Sequence, residues 1–174
     1  MPLILVTPLS AIEATIQSDR PSHLVTLLSP EHMIETPQGI AQGRHLKLSM
    51  NDVADASAGE MPPHDSHIDA LLEFGRGWDA KSPMLVHCWA GVSRSTAAAY
   101  ILLCDRAGAG SEDQIARAIR IRAPHASPNP LMVQLADDIL GRGGRMVDAV
   151  DRIGRGIIVT EGKRLELPLT LHTA

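Results

Sequence analysis

The chain has 174 residues, 44% of them hydrophobic, which is enough for one globular domain with a buried core. Its formal net charge of −4 at pH 7 provides no general attraction to nucleic acid or to an anionic membrane, and only 2% of its residues are aromatic. Cys88 and Cys104 are the two cysteines, and they exclude a disulfide framework and a cysteine-based zinc site. Any anion binding must therefore depend on a local site.

The N-terminus MPLILVTPLS lacks the basic region of a secretory signal peptide. No later segment approaches the roughly 18 apolar residues of a membrane span. The sequence thus predicts a soluble, cytoplasmic protein in a reducing compartment, where a free thiol persists. The histidines share no spacing typical of metal ligands, so we expect no metal, and no cofactor is expected either. The net charge and the low aromatic content predict no nucleic-acid partner.

The first part of the chain alternates predicted strands with a helix. Residues 3–7 form a strand, and the capping-box pattern Ser10-Ala11-Ile12-Glu13 opens a short helix. Residues 23–28 form a second strand, and alternation in residues 45–48 predicts a half-exposed third one. Residues 51–63 show no periodicity and indicate a long loop of the kind that is usually functional or mobile.

The middle of the chain has the strongest hydrophobic signals. Apolar residues at helical spacing predict a helix that begins after Pro63 and ends near Gly75 and Gly77. Residues 84–87 form the most apolar strand. The segment 96–104 is apolar on every side, which predicts a helix buried in the centre of the domain.

The rest of the chain is predicted to be mainly helical. Amphipathic helices are expected over residues 112–122 and 130–140, with Asn129 as N-cap. Residues 142–155 are predicted to form a helix and residues 157–169 a hairpin. Strands that alternate with helices predict an α/β fold, with a central, mainly parallel sheet flanked by helices, in a single domain over residues 1–174.

The stretch HCWAGVSRS, residues 87–95, joins the apolar strand to the buried helix. A strand, a tight loop and a helix N-terminus together present a row of backbone N–H groups that binds an oxyanion. The guanidinium of Arg94 matches two phosphate oxygens, and Gly91 allows a close backbone approach. The same positive field favours the thiolate form of Cys88, which is the nucleophilic form. Ser95 can donate a hydrogen bond to the sulfur, so the stretch predicts a nucleophile beneath a bound phosphate.

HCWAGVSRS resembles the His-Cys-x5-Arg-Ser/Thr signature of the cysteine-dependent protein tyrosine phosphatases, and the short chain is similar to their dual-specificity branch. The resemblance covers about residues 44–140 and implies that fold. It also implies that Cys88 is the nucleophile and Arg94 the phosphate clamp. Ser95 then assists thiolate release, and His87 steadies the loop. The residues between cysteine and arginine would bind the phosphate through their amides: Trp89, Ala90, Gly91, Val92 and Ser93.

The chemistry of this family also requires a mobile aspartate that protonates the leaving oxygen and then activates water. Asp52 and Asp55 both lie in the predicted 51–63 loop. We predict Asp52, because Ser49-Met50-Asn51-Asp52 closes a strand much as an Asn-Asp pair does in several dual-specificity phosphatases. Asp55 is expected to cap a turn.

The resemblance therefore predicts hydrolysis of a phosphorylated protein or a small phosphate monoester, with phosphotyrosine or dual specificity. Phosphoinositide or inositol phosphate hydrolysis is an alternative, although the lysines that favour polyanions are absent from WAGVS. Arsenate reduction needs a resolving cysteine, and Cys104 lies about 15 Å along the helix from the loop. A non-catalytic phosphate-binding pseudophosphatase is disfavoured, because Cys88 and Arg94 are both present.

The sequence leaves open whether Trp89 lines the pocket or packs on a neighbouring loop.

Overall fold

The computed structural model describes residues 3–170, in which helices and strands alternate along much of the chain. Three short 3-10 turns lie outside these elements, at Leu9–Ala11, Pro30–His32 and Gln42–Arg44. The strands and α-helices are, in chain order, β1 (Leu3–Pro8), α1 (Ile12–Asp19), β2 (His23–Leu28), β3 (His45–Ser49), α2 (Asp65–Gly77), β4 (Met84–Cys88), α3 (Arg94–Ala107), α4 (Glu112–Arg122), α5 (Pro130–Ile139), α6 (Arg145–Ile153) and β5 (Leu165–Pro168).

The strands form one sheet in the order β3-β2-β4-β1-β5, with β4 at its centre. β4 is parallel to both β1 and β2, and β2 is parallel to β3. β5 is antiparallel to β1 at the edge of the sheet. The predicted α/β class with a mainly parallel sheet is confirmed. Because the four parallel strands end at the same edge, the segments that follow them gather there, where ligands bind in such sheets.

The two faces of the sheet are covered unequally. Alternate strand residues point to opposite faces: Met84 and Val86 belong to the main hydrophobic cluster with α2 to α6, whereas Leu85 packs with Ile12 and Ile16 of α1. Residues 96–104 of α3 are all buried, as predicted, and the polar residues Arg94 and Ser95 before them are buried as well. This burial fixes the N-terminus of α3 against the end of β4.

Two local predictions are wrong. Ser10 does not cap a helix, because its hydroxyl donates to Glu161 Oε2 at 3.0 Å and α1 begins at Ile12 after a 3-10 turn. Residues 157–169 do not form a hairpin, since only β5 is a strand and it pairs with β1. The amides of Ile157 and Gly162 instead donate to the carbonyls of Pro124 and Ala90, so this segment packs against the α4–α5 connection and the β4–α3 loop.

The C-terminal helix is shorter than the predicted 142–155. The carboxylate of Asp137 accepts hydrogen bonds from the amides of Gly144 at 2.6 Å and Met146 at 2.7 Å, which satisfies the first turn of α6 and fixes its start at Arg145. α2 passes through Gly75 and ends at Gly77.

None of the helices in the described part of the chain has the length and apolar character that a membrane crossing requires.

Candidate active site

The loop between β4 and α3 has its carbonyl groups turned towards the surrounding scaffold. Among residues 3–170, no hydrogen bond is donated by the amides of residues 89–93, which leaves them available to an anion. Four loop carbonyls accept hydrogen bonds from neighbouring backbone amides: Trp89 from Leu9 at 3.1 Å, Ala90 from Gly162 at 2.7 Å, Val92 from Ser127 at 2.9 Å and Ser93 from Asn129 at 3.2 Å.

Gly91 lets this loop lie directly against the end of β1. Its φ is +69°, a conformation that residues with a side chain rarely adopt. A Cβ at this position would be 2.7 Å from the backbone nitrogen of Pro8 and 2.9 Å from the carbonyl carbon of Thr7. The sequence predicts a close backbone approach at Gly91, and in the structure the backbone of Gly91 lies against the end of β1. This contact fixes the conformation of the loop.

Cys88 lies at the bottom of the loop, and its Sγ is 3.1 Å from the Oγ of Ser95 in the first turn of α3. Both side chains are buried, with Cys88 2% exposed. The Ser95 hydroxyl can therefore donate to the sulfur, as the sequence predicts. Cys104 is also a free, buried cysteine, but burial raises its pKa to about 12, which makes it an unreactive core residue.

Arg94 is a buried cation that is held in one orientation. Its Nη1 donates to the carbonyl of Met50 at 2.7 Å, and the residue is 5% exposed. Its Nε is buried without a hydrogen-bond partner among the described residues, and lies 3.9 Å from Asp52 Oδ2. A buried guanidinium N–H is costly when it is left unpaired, so this site is suited to an anionic oxygen.

The two candidate aspartates have different surroundings. Asp52 Oδ1 accepts hydrogen bonds from Ser93 Oγ at 2.7 Å and from Asn129 Nδ2 at 2.9 Å, which places its carboxylate beside the loop. Asp55 Oδ1 accepts from the amide and the hydroxyl of Ser57, both at 2.8 Å, so it caps its own turn. The Ser57 amide, followed by the hydroxyl, lowers the pKa of Asp55. The structure therefore brings Asp52, and not Asp55, to the site.

Asn129 has two roles, of which the sequence indicates one. Its Oδ1 accepts a hydrogen bond from the amide of Met132 at 3.0 Å, which confirms it as the N-cap of α5. Its Nδ2 donates to Asp52 Oδ1 and to the carbonyl of Val53, each at 2.9 Å. The second role was missed, because an Asn-Pro cap pattern carries no information about what the amide nitrogen reaches across 77 residues.

No family model and no curated protein matches the sequence. Among solved structures, DUSP15 is similar with a TM-score of 0.62 at 20% identity, over 88% of this chain and 91% of that one. The Cydia pomonella PTP-2 phosphatase has a TM-score of 0.60 at 18% identity, over 78% and 84%. The chain has the protein tyrosine phosphatase fold. PTPMT1, in its complex with PI(5)P, gives 0.57 at 16% identity, over 88% and 93%. The predicted resemblance to the dual-specificity type is confirmed at the level of the fold.

In this phosphatase fold, Cys88, Asp52 and Arg94 line one open pocket of about 450 Å³. Trp89 forms part of its wall; the residue is 51% exposed, and the centroid of its ring lies 4.7 Å from that of the His32 ring. Trp89 thus does both things that the sequence leaves open: it lines the pocket and packs on a neighbouring segment through His32. Sequence reasoning missed the pocket residues that arrive from distant segments: Leu28, Ser29, Glu31, His32 and Val159.

His87 lies beneath the loop of this phosphatase fold and is fully buried. Its Nε2 is 2.7 Å from Thr26 Oγ1, and its Nδ1 is 3.3 Å from the carbonyl oxygen of Cys88. Burial lowers the pKa of His87 to about 4, so the ring is neutral near pH 7. These contacts agree with the supporting role predicted from the sequence.

Within residues 3–170, no group of three or more metal-ligating side chains is placed to hold a metal.

Proposed function

We propose that the protein hydrolyses phosphate monoesters as a phosphotyrosine or dual-specificity phosphatase, through a phosphocysteine intermediate on Cys88. The main observation behind the proposal is the company of the Cys88 thiol: its pocket also holds a buried Arg94 Nε with no hydrogen-bond partner, and loop amides that donate to no acceptor, within residues 3–170. This arrangement supports binding of a phosphate above a sulfur nucleophile. The proposal assigns residues 1–174 to a single phosphatase domain in the cytoplasm.

In the first step, the thiolate of Cys88 attacks phosphorus and forms an S–P bond as the bond to the leaving oxygen breaks. Asp52 gives its proton to that oxygen, which departs as an alcohol or phenol. The amides of residues 89–93 and the guanidinium of Arg94 bind the three remaining phosphate oxygens, whose charge they stabilise in the transition state.

In the second step, Asp52 removes a proton from water, and the resulting oxygen attacks the phosphocysteine. The S–P bond breaks, inorganic phosphate forms, and Cys88 leaves as a thiolate. The Ser95 hydroxyl, 3.1 Å from the sulfur, stabilises that thiolate by donating a hydrogen bond. Because Ser93 and Asn129 both donate to Oδ1 of Asp52, Oδ2 is the oxygen that supports transfer of the proton.

The pocket charges favour a single phosphate group on an otherwise neutral substrate. Arg94 is the permanent cation among the lining residues, and the wall includes the carboxylates of Glu31 and Asp52. A second phosphate, as in an inositol polyphosphate, would meet those carboxylates and no lysine. The exposed side chains of Trp89 and Val159 offer an apolar surface next to the phosphate site. A phosphorylated protein or a small aryl phosphate therefore fits better than a polyphosphorylated headgroup.

Turnover of para-nitrophenyl phosphate tests the proposal. We expect hydrolysis in the presence of EDTA, since backbone amides and Arg94 bind the phosphate, and we expect competitive inhibition by vanadate. Loss of activity on chelation would instead indicate a metal-dependent hydrolase. Vanadate binding without turnover of any phosphopeptide, para-nitrophenyl phosphate or phosphoinositide would indicate a pseudophosphatase. Preferential turnover of a phosphoinositide over phosphopeptides would favour the lipid alternative.

Arg94→Lys is expected to lower kcat/KM for para-nitrophenyl phosphate about 10²-fold. A lysine ammonium is a point charge that cannot make the two-pronged contact to two phosphate oxygens. It also cannot donate to the Met50 carbonyl in the geometry of Nη1. Steady-state kinetics check the effect, with Arg106→Lys as a control, because Arg106 lies in the last turn of α3 over the ring of Trp78 and does not line the pocket. An unchanged rate in Arg94→Lys would exclude the clamp role.

A further inference from the structure

A line of four side chains extends from the end of β4 across β2 to His45, the first residue of β3, and on to Thr36. Thr26 and His87 are fully buried neighbours on the adjacent strands β2 and β4. Thr26 Oγ1 lies 2.7 Å from His87 Nε2 and 2.8 Å from His45 Nε2. His45 Nδ1 lies 2.9 Å from Thr36 Oγ1, in the segment that follows the pocket residues Glu31 and His32.

The direction of every hydrogen bond in this line follows from its end at Cys88. A backbone carbonyl only accepts, so His87 must carry its proton on Nδ1, which lies 3.3 Å from that carbonyl. Burial lowers the pKa of His87 and of His45 to about 4, so near pH 7 each ring is neutral and has one N–H and one acceptor nitrogen. His87 Nε2 therefore accepts from the Thr26 hydroxyl.

The Thr26 hydroxyl has a single hydrogen, which it donates to His87. Its contact with His45 must then be one in which it accepts, so His45 carries its proton on Nε2. His45 Nδ1 is left as an acceptor and takes a hydrogen bond from the Thr36 hydroxyl. The two histidines are thereby held in opposite tautomers.

We propose that these side chains form one directed chain of hydrogen bonds that ends on the carbonyl of Cys88, in the order Thr36, His45, Thr26 and His87. The chain acts on the peptide group between Cys88 and Trp89. A hydrogen bond to its carbonyl polarises the group and makes the Trp89 amide a stronger donor to an anion in the loop. Thr26 and His45 are thus positioning residues. Their role rests on the proposed function, since it concerns the thiolate and phosphate bound by the same loop.

Thr26→Val tests this chain, because valine has nearly the same shape and lacks the hydroxyl that both histidines contact. Thr26→Ser keeps the hydroxyl and should behave as wild type. Thr15→Val is the matched control, since Thr15 is also buried and donates to a backbone carbonyl, at 2.8 Å, but lies on α1. Circular dichroism and thermal unfolding establish that each variant is folded.

Three measurements are made on these proteins. Nitrogen-15 NMR of the imidazole rings should show the Nδ1–H tautomer for His87 and the Nε2–H tautomer for His45. In Thr26→Val the His87 ring should keep Nδ1–H, because the Cys88 carbonyl remains its acceptor, whereas the His45 ring should lose its preference for Nε2–H. The midpoint of the pH profile for alkylation of Cys88 by iodoacetamide should rise by about half a unit to one unit, the effect of losing one ordinary hydrogen bond. Vanadate should bind about 3- to 10-fold more weakly.

A His87 ring that carries its proton on Nε2 in the wild-type protein would overturn the proposal. A folded Thr26→Val protein with wild-type alkylation and vanadate binding would also overturn it, because the four side chains would then contribute only to packing. If Thr26→Val does not fold, His45→Leu provides the same test at a half-buried position. We then expect a smaller rise in the midpoint of Cys88 alkylation. An unchanged midpoint would contradict the proposed chain of hydrogen bonds. The ring tautomers and the alkylation of Cys88 are measured without turnover. A negative result in these measurements is therefore distinguishable from failure of the phosphatase proposal.

Discussion

Cys88→Ser is expected to abolish turnover of every phosphate ester, with a loss on the order of 10⁴-fold or more, because it removes the nucleophile. The substitution exchanges one atom in a loop that is held by hydrogen bonds from the Leu9 and Gly162 amides to its carbonyls. The fold and the melting temperature should therefore change little. Steady-state kinetics with para-nitrophenyl phosphate and a thermal unfolding curve measure the two effects on the same sample.

Cys104→Ser is the matched control for this prediction. Cys104 is equally buried and free, but it lies in the core of α3, away from the pocket. We expect it to retain wild-type kcat/KM and to lose some stability. Residual activity above a few per cent in Cys88→Ser, measured on protein free of wild-type enzyme, would exclude Cys88 as the nucleophile.

The second large effect is expected for Asp52→Asn, which should slow hydrolysis of alkyl and phenyl phosphates by about 10² to 10⁴. Asparagine keeps the shape of the side chain but cannot give a proton to the leaving oxygen. Binding should survive, because Arg94 and the loop amides are unchanged, so the variant should retain phosphorylated substrates. The loss should shrink for esters whose leaving group has a low pKa, since these depart without a proton.

Asp55→Asn is the control, because Asp55 is exposed and bonded to Ser57 in its own turn. It should cost little activity. The pH–rate profile gives a separate test: its alkaline limb reports loss of the proton from the general acid and should flatten in Asp52→Asn alone. Flattening in Asp55→Asn alone would reverse the assignment. Flattening in neither variant would place the proton donor outside residues 51–63.

The centre of the fold was predictable because its signals are local. β4 is the most apolar strand and residues 96–104 of α3 are apolar on every side, and these patterns indicate burial whatever the remaining topology is. A cysteine at the end of such a strand and an arginine at the start of such a helix must lie close together, since only residues 89–93 separate them. Cys88, Arg94 and Ser95 could thus be placed in one site from the sequence.

The periphery of the site was not predictable, because it depends on contacts between segments far apart in the chain. Asn129 reaches Asp52 through an amide nitrogen that its cap pattern does not involve. The segment predicted as a hairpin from its Glu161-Gly162 turn contributes Val159 to the pocket, and its Gly162 amide donates to the loop carbonyl of Ala90. The amides of Ile157 and Gly162 bond to carbonyls outside the sheet, and only β5 pairs with a strand, β1, which a local turn signal cannot reveal.

The most direct test of the account is to trap the phosphoenzyme. Asp52→Asn should accept a phosphoryl group readily from an aryl phosphate with a good leaving group, but should lack the base that activates water for the second step. Rapid acid quenching followed by mass spectrometry of peptides should then find one phosphoryl group on the peptide that contains Cys88, and none in Asp52→Asn combined with Cys88→Ser. Turnover with no phosphorylated Cys88, or with the phosphoryl group on another residue, would contradict the phosphocysteine mechanism.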